Sequence, residues 1–266
     1  MSEILLEDAA VEAHDQWAGG YFLLTLRSPR IAPRVKPGQF VHVRLPAPAD
    51  TLLRRPFSVF RTDRDTLQLL YKPVGRGTHA MITLRPGDTL SLLGPLGRGF
   101  PPPSPKTRPV LVAGGYGMAA LYLQAAACPR PGVAFFGGAS RTDILCVSQF
   151  EALGWEVRVT TEDGSLGTKG LVTVELDRFL AEKGKPELIE LFACGPNGML
   201  KAVADRAERH GFRAWLSLDR NMGCGVGACL TCVQRVRAPD GTVNWMRVCR
   251  EGPVFDSRDI IWEDES

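Results

Sequence analysis

The sequence predicts an α/β plus all-β protein in three parts. These are an N-terminal antiparallel β-barrel over residues 1–100, a central Rossmann-like parallel α/β domain over 101–218, and a small cysteine-rich module over 219–266. Three observations carry this reading. Short alternating strands separated by turn residues fill positions 21–93, and the run Pro101-Pro102-Pro103-Ser104-Pro105 ends them. Beyond it, strands alternate with helix-length amphipathic segments, and four cysteines then crowd into the 26 positions from 224 to 249.

In the first part, Phe40-Val41-His42-Val43-Arg44-Leu45 puts Val41, Val43 and Leu45 on one face and His42 and Arg44 on the other, the period of a half-buried strand. Runs over 21–27, 56–60, 66–72 and 89–93 read the same way, with turns at Pro37-Gly38 and Pro86-Gly87-Asp88. Arg54-Arg55-Pro56-Phe57-Ser58 opens one of these strands. An arginine there can fork onto a diphosphate and a serine can reach a ring nitrogen, although strand-edge arginines are more often solvated or paired with a local carboxylate. Gly75-Arg76-Gly77-Thr78 leads into a helix-length stretch over 78–84 with Thr78 as N-cap, either a phosphate-binding helix start or an ordinary capped turn. The proline run can neither donate to a strand ladder nor continue a helix, so it marks the boundary.

The central part reads as strands over 110–113, 133–136, 156–160 and 188–193, with helices over 118–127, 147–153, 172–182 and 198–210, an alternation that implies a parallel sheet with crossover helices. Gly115-x-Gly117-x-x-Ala120 follows a strand and opens a helix, the context of a dinucleotide loop. The acidic residue expected about 20 positions later to hold a ribose hydroxyl is missing. Ser140 and Arg141 stand in that region, to hold a 2′-phosphate or simply to cap the next helix. Cys194-Gly195-Pro196 ends another strand at the edge where such sheets bind ligands, or forms a tight turn with a buried cysteine.

In the last part, Cys224-x4-Cys229-x2-Cys232 with Cys249 sixteen residues on is the plant-type spacing for a 2Fe-2S cluster. Gly223, Gly225 and Gly227 allow the loop to curl and bring amides to the sulfurs. Zinc competes for such residues, but its structural sites usually show two close ligand pairs, and only Cys229 and Cys232 form one here. Asp240-Gly241 favours a hairpin turn between strands over 231–236 and 242–248.

Composition narrows the function further. With 32 basic and 29 acidic residues the net charge is +3, too balanced for a phosphate-backbone field, so nucleic acid is not an expected partner. Positions 109–129 carry no charged side chain, but Gly114, Gly115 and Gly117 break the run, which reads as strand, turn and helix and not as a membrane span. The acidic first 17 residues lack the positive start of a signal peptide, and a cytoplasmic location is expected. No nucleophile elbow, Walker loop or paired carboxylates appear, and no catalytic acid or base is expected. His14, His42, His79 and His210 form no ligand spacing and read as structural or surface groups.

This order of parts resembles the ferredoxin-NADP reductase superfamily, and within it the electron-transfer subunits of type B dihydroorotate dehydrogenases, over nearly the whole chain. The motifs that carry it are R-P-F-S at 55–58, G-R-G-T at 75–78, G-P-L-G-R-G-F at 94–100, T-E-D-G-S-L-G at 161–167, A-C-G-P at 193–196 and the cysteine set. The resemblance implies FAD on Arg55, Pro56, Phe57, Ser58, Leu70, Tyr71, Lys72, Gly77 and Thr78. It implies NAD, with NADP possible, at Gly115, Gly117, Cys194, Gly195 and Pro196, and a 2Fe-2S cluster on Cys224, Cys229, Cys232 and Cys249. The implied partner is an FMN-containing dihydroorotate dehydrogenase catalytic subunit in a heterotetramer of two plus two, within pyrimidine biosynthesis. Two further readings stand beside it: a sister subunit of a ferredoxin-NADP reductase, hydrogenase or sulfur-reducing complex, and a non-catalytic electron-transfer adaptor. The chain departs from the family at Tyr116, expected to crowd the pyridine nucleotide, and at Gly198, where the family often has a second proline.

Overall fold

The computed structural model describes residues 3–46, 52–183 and 188–262, so positions 1–2, 47–51, 184–187 and 263–266 of the three expected parts lie outside the described residues. The first sheet comprises β1 (Leu5–Gln16), β2 (Phe22–Arg27), β3 (Phe40–Val43), β4 (Arg55–Ser58), β5 (Arg61–Asp63), β6 (Thr66–Tyr71) and, after the short helix α1 (Arg76–Ala80), β7 (Thr89–Leu96). Its order is β4-β3-β7-β1-β2-β6-β5, with every pairing antiparallel.

β1 lies upstream of every strand expected from the sequence. Leu5, Ala9 and Val11 point inward, but so does Glu7, which breaks the apolar alternation. Its buried carboxylate accepts from the Ser28 hydroxyl at 2.5 Å and from the Arg30 and Ile31 amides at 3.0 Å each. Three donors satisfy the charge, and the carboxylate clamps the 28–31 turn to the barrel wall. On β3 the expected inward face holds, with Val41 and Val43 in the barrel core. The opposite face is solvated at Arg44 but not at His42, which is wholly buried because the C-terminal cysteine loop covers it.

The second part contributes β8 (Arg108–Gly114), α2 (Gly117–Ala120), α3 (Tyr122–Ala127), β9 (Val133–Gly138), α4 (Val147–Ala152), β10 (Glu156–Thr161), β11 (Thr168–Lys169), α5 (Val172–Lys183), β12 (Ile189–Cys194), α6 (Asn197–His210) and β13 (Arg213–Ser217). The helix expected over 118–127 is broken at Leu121 into two, and the uncharged 109–129 stretch is the β8–α3 unit. Among the described residues no helix is long and apolar enough to cross a membrane. The tail forms the hairpin β14 (Val233–Arg237) and β15 (Val243–Arg247), turning through Gly241 at φ 84°, and then β16 (Val254–Asp256).

The second sheet runs β11-β10-β9-β8-β12-β13-β16, parallel throughout except that β16 joins β13 antiparallel. The tail thus supplies an edge strand to the central sheet. Cys232, Val248, Cys249 and Phe255 share one apolar core with Val110, Leu191 and Leu216. The proline run is pinned to the same sheet by Glu190, whose buried carboxylate accepts from the Ser104 amide at 2.6 Å, the Thr107 hydroxyl at 3.2 Å and the Trp215 indole at 2.9 Å.

Candidate functional site

The cysteine loop is built from backbone that only a few residues adopt. Gly225 (φ 72°), Gly227 (φ 87°) and Leu230 (φ 59°) all take the left-handed region, which glycine enters without strain. The curl turns the amides of Ala228 and Cys229 onto Cys224 Sγ at 3.2 and 3.4 Å, and the Cys249 amide lies 3.4 Å from Cys232 Sγ. The Thr231 hydroxyl donates to Cys229 Sγ at 3.2 Å. This contact, with the Thr231 amide and Cys224 behind it, lowers the Cys229 thiol to about 6. Cys249 goes the other way, pushed up to about 12 by burial and by its neighbour Cys232.

The two thiols are thus driven in opposite directions, Cys229 towards the thiolate by hydrogen bonds and Cys249 towards the neutral thiol by burial. Among the described residues, no three His, Cys, Asp or Glu side chains are drawn tightly enough together for a single ion. Two buried and two more accessible thiols, with amides turned onto sulfur and the plant-type spacing, suit a two-iron cluster.

Arg55, Pro56, Phe57 and Ser58 form β4, an end strand of the barrel sheet. The two arginines differ. Arg54 is committed to the Ser91 carbonyl and hydroxyl at 2.5 and 3.0 Å. Arg55 donates to the backbone carbonyls of Leu53 and Arg54 at 2.9 and 3.3 Å and has no carboxylate partner among the described residues. Phe57 meets Tyr71 edge-on at 6.1 Å, and the Tyr71 hydroxyl lies 2.9 Å from His14 Nε2 in the barrel interior. Leu70 points the opposite way, into the core shared with the second sheet. Lys72 stands 3.6 Å from Asp143 and above the Tyr21 ring, so it bridges the two sheets. At Gly77 a side chain would strike Leu45. Thr78 is not the N-cap expected of a helix over 78–84: α1 starts earlier, at Arg76 with Gly75 as its N-cap, and Thr78 is its third residue, where its hydroxyl accepts from the Val74 and Gly75 amides at 2.9 and 3.1 Å; the first amides of α1 are without intrahelical partners.

At the C-terminal ends of the adjacent strands β8 and β12 the two expected nucleotide loops meet. A Cβ on Gly117 would collide with the Cys194 carbonyl, and one on Gly114 would come within 2.9 Å of Pro196. Gly115 turns the chain at φ 54°. Gly115, Gly117, Cys194, Gly195 and Pro196 thus form one rim, and burial pushes the Cys194 thiol up to about 12. Tyr116 stands between Gly115 and Gly117 on this rim. It is 56% exposed and its hydroxyl donates to Asp219 at 3.2 Å, a strut from the first loop to the start of the cysteine segment. Ser140 and Arg141 are occupied locally. Ser140 bonds Thr142 and Asp143, and the Arg141 guanidinium donates to the Ser165 carbonyl at 3.0 and 3.3 Å.

Sequence reasoning missed Tyr21, Asp143 and Asp219, whose contacts with Lys72 and Tyr116 join segments distant in the chain, and undervalued His42. Among the described residues neither His42 nitrogen has a partner, and burial followed by the charges of Arg54 and Arg55 pushes the ring down to about 4. A polar residue on the outward face of a strand carries no sign that a later segment will cover it. Beside the cysteine loop opens a cleft of about 790 Å³ whose lining includes Lys36, Arg98, Val226, Cys249 and Arg250.

Residues 219–261 match the family model for the iron-sulfur cluster binding domain of dihydroorotate dehydrogenase B. A Desulforamulus reducens protein named dihydroorotate dehydrogenase B (NAD(+)), electron transfer subunit, is 37% identical over 261 residues, covering 96% of this chain and 98% of its own length. A Bacillus caldolyticus protein of the same name is 39% identical over 245 residues, covering 90% and 91%. The solved structure of an NADH-dependent reduced ferredoxin-NADP oxidoreductase superposes with a TM-score of 0.82 at 28% identity, over 96% of this chain and 90% of that one. A ferredoxin reductase of carbazole 1,9a-dioxygenase shares the fold, with a TM-score of 0.67 at 22% identity over 79% and 67%.

Proposed function

The chain belongs to the family of electron transfer subunits of NAD-dependent dihydroorotate dehydrogenase B, and from that membership we propose how its residues divide the work of moving electrons from a catalytic subunit to NAD. When bound, a 2Fe-2S cluster carries single electrons, FAD pairs them, and NAD takes the pair as a hydride. Cys224, Cys229, Cys232 and Cys249 hold the cluster, and the amides of Ala228, Cys229 and Cys249 stabilise negative charge on its sulfurs. Arg55 would hold the FAD diphosphate, because of the two adjacent arginines it is the one that no side chain among the described residues engages. The glycine rim of Gly115, Gly117 and Gly195 lets the backbone approach the nucleotide closely. Hydride transfer needs alignment and no proton shuttle, so the lack of an acid-base pair is in keeping with the chemistry.

Two finer points follow the same reading. NAD is favoured over NADP because the relatives are named for NAD and the Arg141 guanidinium is turned onto the Ser165 carbonyl. The FMN-bearing catalytic subunit, two copies to two of this chain, docks at the cleft beside Val226, where Lys36, Arg98 and Arg250 offer a basic rim. A cytoplasmic location suits a ligand set that must stay reduced until metal arrives.

The observation that carries this function is the four-cysteine loop, with amides turned onto sulfur, lying against the strand next to β4. The sister-subunit reading has the 0.82 superposition in its favour. The experiment is anaerobic co-expression with the dihydroorotate dehydrogenase catalytic subunit. Expected are a stable complex, two irons, two labile sulfides and one FAD per chain, and dihydroorotate-dependent NAD reduction. The isolated chain should pass electrons from NADH to dyes but leave dihydroorotate untouched. Zinc without labile sulfide sinks the cluster; no complex with that partner favours the sister reading; no NADH oxidation favours the adaptor.

A further inference from the structure

His42 occupies β3 where the barrel meets the cysteine loop. Its strand neighbours are Pro56 on β4 and Leu93 on β7, and the Phe40 ring stands edge-on at 6.1 Å. The ring also lies against Gly225, where a Cβ would come within 2.7 Å of Nδ1 and 2.9 Å of Cε1. Gly225 directly follows Cys224, so a glycine is needed there both for the left-handed turn and for the approach of the ring.

The ring is wholly buried and neither nitrogen has a partner among the described residues. Buried polar groups in native proteins are nearly always paired, and leaving a donor unmet is more unfavourable than filling the place with an apolar side chain. The other three histidines lie elsewhere, His14 against Tyr71, His79 on exposed α1 and His210 stacked on Phe212. A neutral imidazole presents one N–H, and the loop packed on this ring carries the thiol of Cys224, the residue before Gly225.

We propose that His42 is a positioning residue for the iron-sulfur cluster, donating an N–H hydrogen bond to a sulfur at the Cys224 end and holding the loop in register beside the flavin strand. This rests on the reading of Cys224, Cys229, Cys232 and Cys249 as the cluster ligands. An N–H bond to sulfur favours the reduced, more negative cluster and so raises its potential.

The test uses the FAD- and cluster-loaded protein, with a redox titration followed by the electron paramagnetic resonance of the reduced cluster. His42→Phe keeps a ring but removes both nitrogens, whereas His42→Gln returns an N–H. With iron, sulfide and FAD contents at wild-type level, His42→Phe should lower the cluster potential by an amount equivalent to about a tenfold change in equilibrium constant, about 59 mV for one electron. His42→Gln should recover much of it. An unmoved cluster potential, or a shift confined to the flavin, overturns the proposal. Should His42→Phe fail to hold the cluster, wild-type protein labelled with ¹⁵N-histidine decides: pulsed resonance should detect a weak ¹⁵N coupling to the reduced cluster, and its absence overturns the proposal. Wild-type protein without iron and sulfide would instead overturn the ligand reading, and this inference with it.

Discussion

Replacing Arg55 by alanine separates a ligand-binding arginine from a structural one, because its neighbour provides the control. Arg54 gives two hydrogen bonds to Ser91 on β7 and so belongs to the barrel wall. Arg55 gives only backbone contacts to Leu53 and Arg54, and no carboxylate among the described residues neutralises it. A charge-assisted hydrogen bond to a phosphate contributes about 1.5–3 kcal/mol. Arg55→Ala should therefore weaken FAD binding by about ten- to a hundredfold, since every 1.4 kcal/mol is tenfold. Loss of the Leu53 and Arg54 backbone contacts should change the thermal midpoint of the FAD-free protein little, because surface substitutions usually act within about 0.5 kcal/mol. Arg54→Ala should do the reverse, lowering the midpoint of the FAD-free form. The assay is fluorescence of released FAD on dilution, paired with a thermal melt of each variant. Equal FAD affinity in Arg55→Ala and wild type would mean that the guanidinium is a surface charge and that the flavin register along β4 is wrong.

Other substitutions test other parts of the site. Gly117→Ala drives a Cβ into the Cys194 carbonyl, so the two nucleotide loops must separate; the expected loss is about 1–3 kcal/mol of stability with weaker NADH binding, and unchanged NADH titration would remove this rim from the nucleotide site. Val226→Arg adds bulk and charge at the cleft and should slow dihydroorotate-dependent NAD reduction by the complex while sparing the NADH-to-dye activity of the isolated chain; equal losses would place the docking face elsewhere. Burial pushes the Asp256 carboxyl up, but Arg258, 2.6 Å away, and Arg213 outweigh it and hold the carboxyl below the usual range. Its stabilising effect is therefore present above the unfolded carboxylate value of about 3.9 and is lost as pH falls through the lower folded value. A melt series below about pH 4 should show the wild-type midpoint falling more steeply than that of Asp256→Asn, and parallel curves would show that Asp256 plays no part.

The parts of this protein legible in the sequence are those whose physics is local. Alternation set the inward face of β3, the glycine pattern set the β8–α2 turn, and the cysteine spacing set the loop that carries sulfur. Segments whose residues answer to distant partners were not legible. β1 hides behind an inward Glu7 that is satisfied only by Ser28, Arg30 and Ile31. β16 is three residues long and becomes a strand only because β13 offers an open edge. Lys72 illustrates the same limit, since no local signal announces its pairing at 3.6 Å with Asp143, 71 positions later.

Those distant partners also explain why the three parts fold as one electron path and not as beads along a chain. Within five residues the tail touches both sheets: the Gly252 carbonyl accepts from the Arg98 amide at the end of the barrel, Pro253 bridges to Arg98, and residues 254–256 pair with β13. On the other side of the cysteine loop, Gly225 rests on His42 of β3, and Tyr116 reaches across to Asp219, where the cysteine segment begins. The cysteine loop is thus fixed from the barrel, from the central sheet and from the nucleotide rim. Electron transfer between separate centres demands that their spacing not drift, and a module hung on a linker leaves relative motion as the default. A tail that must be woven into both sheets to satisfy its own backbone removes that freedom, so the geometry that sets the electron path is established by the same contacts that complete the fold.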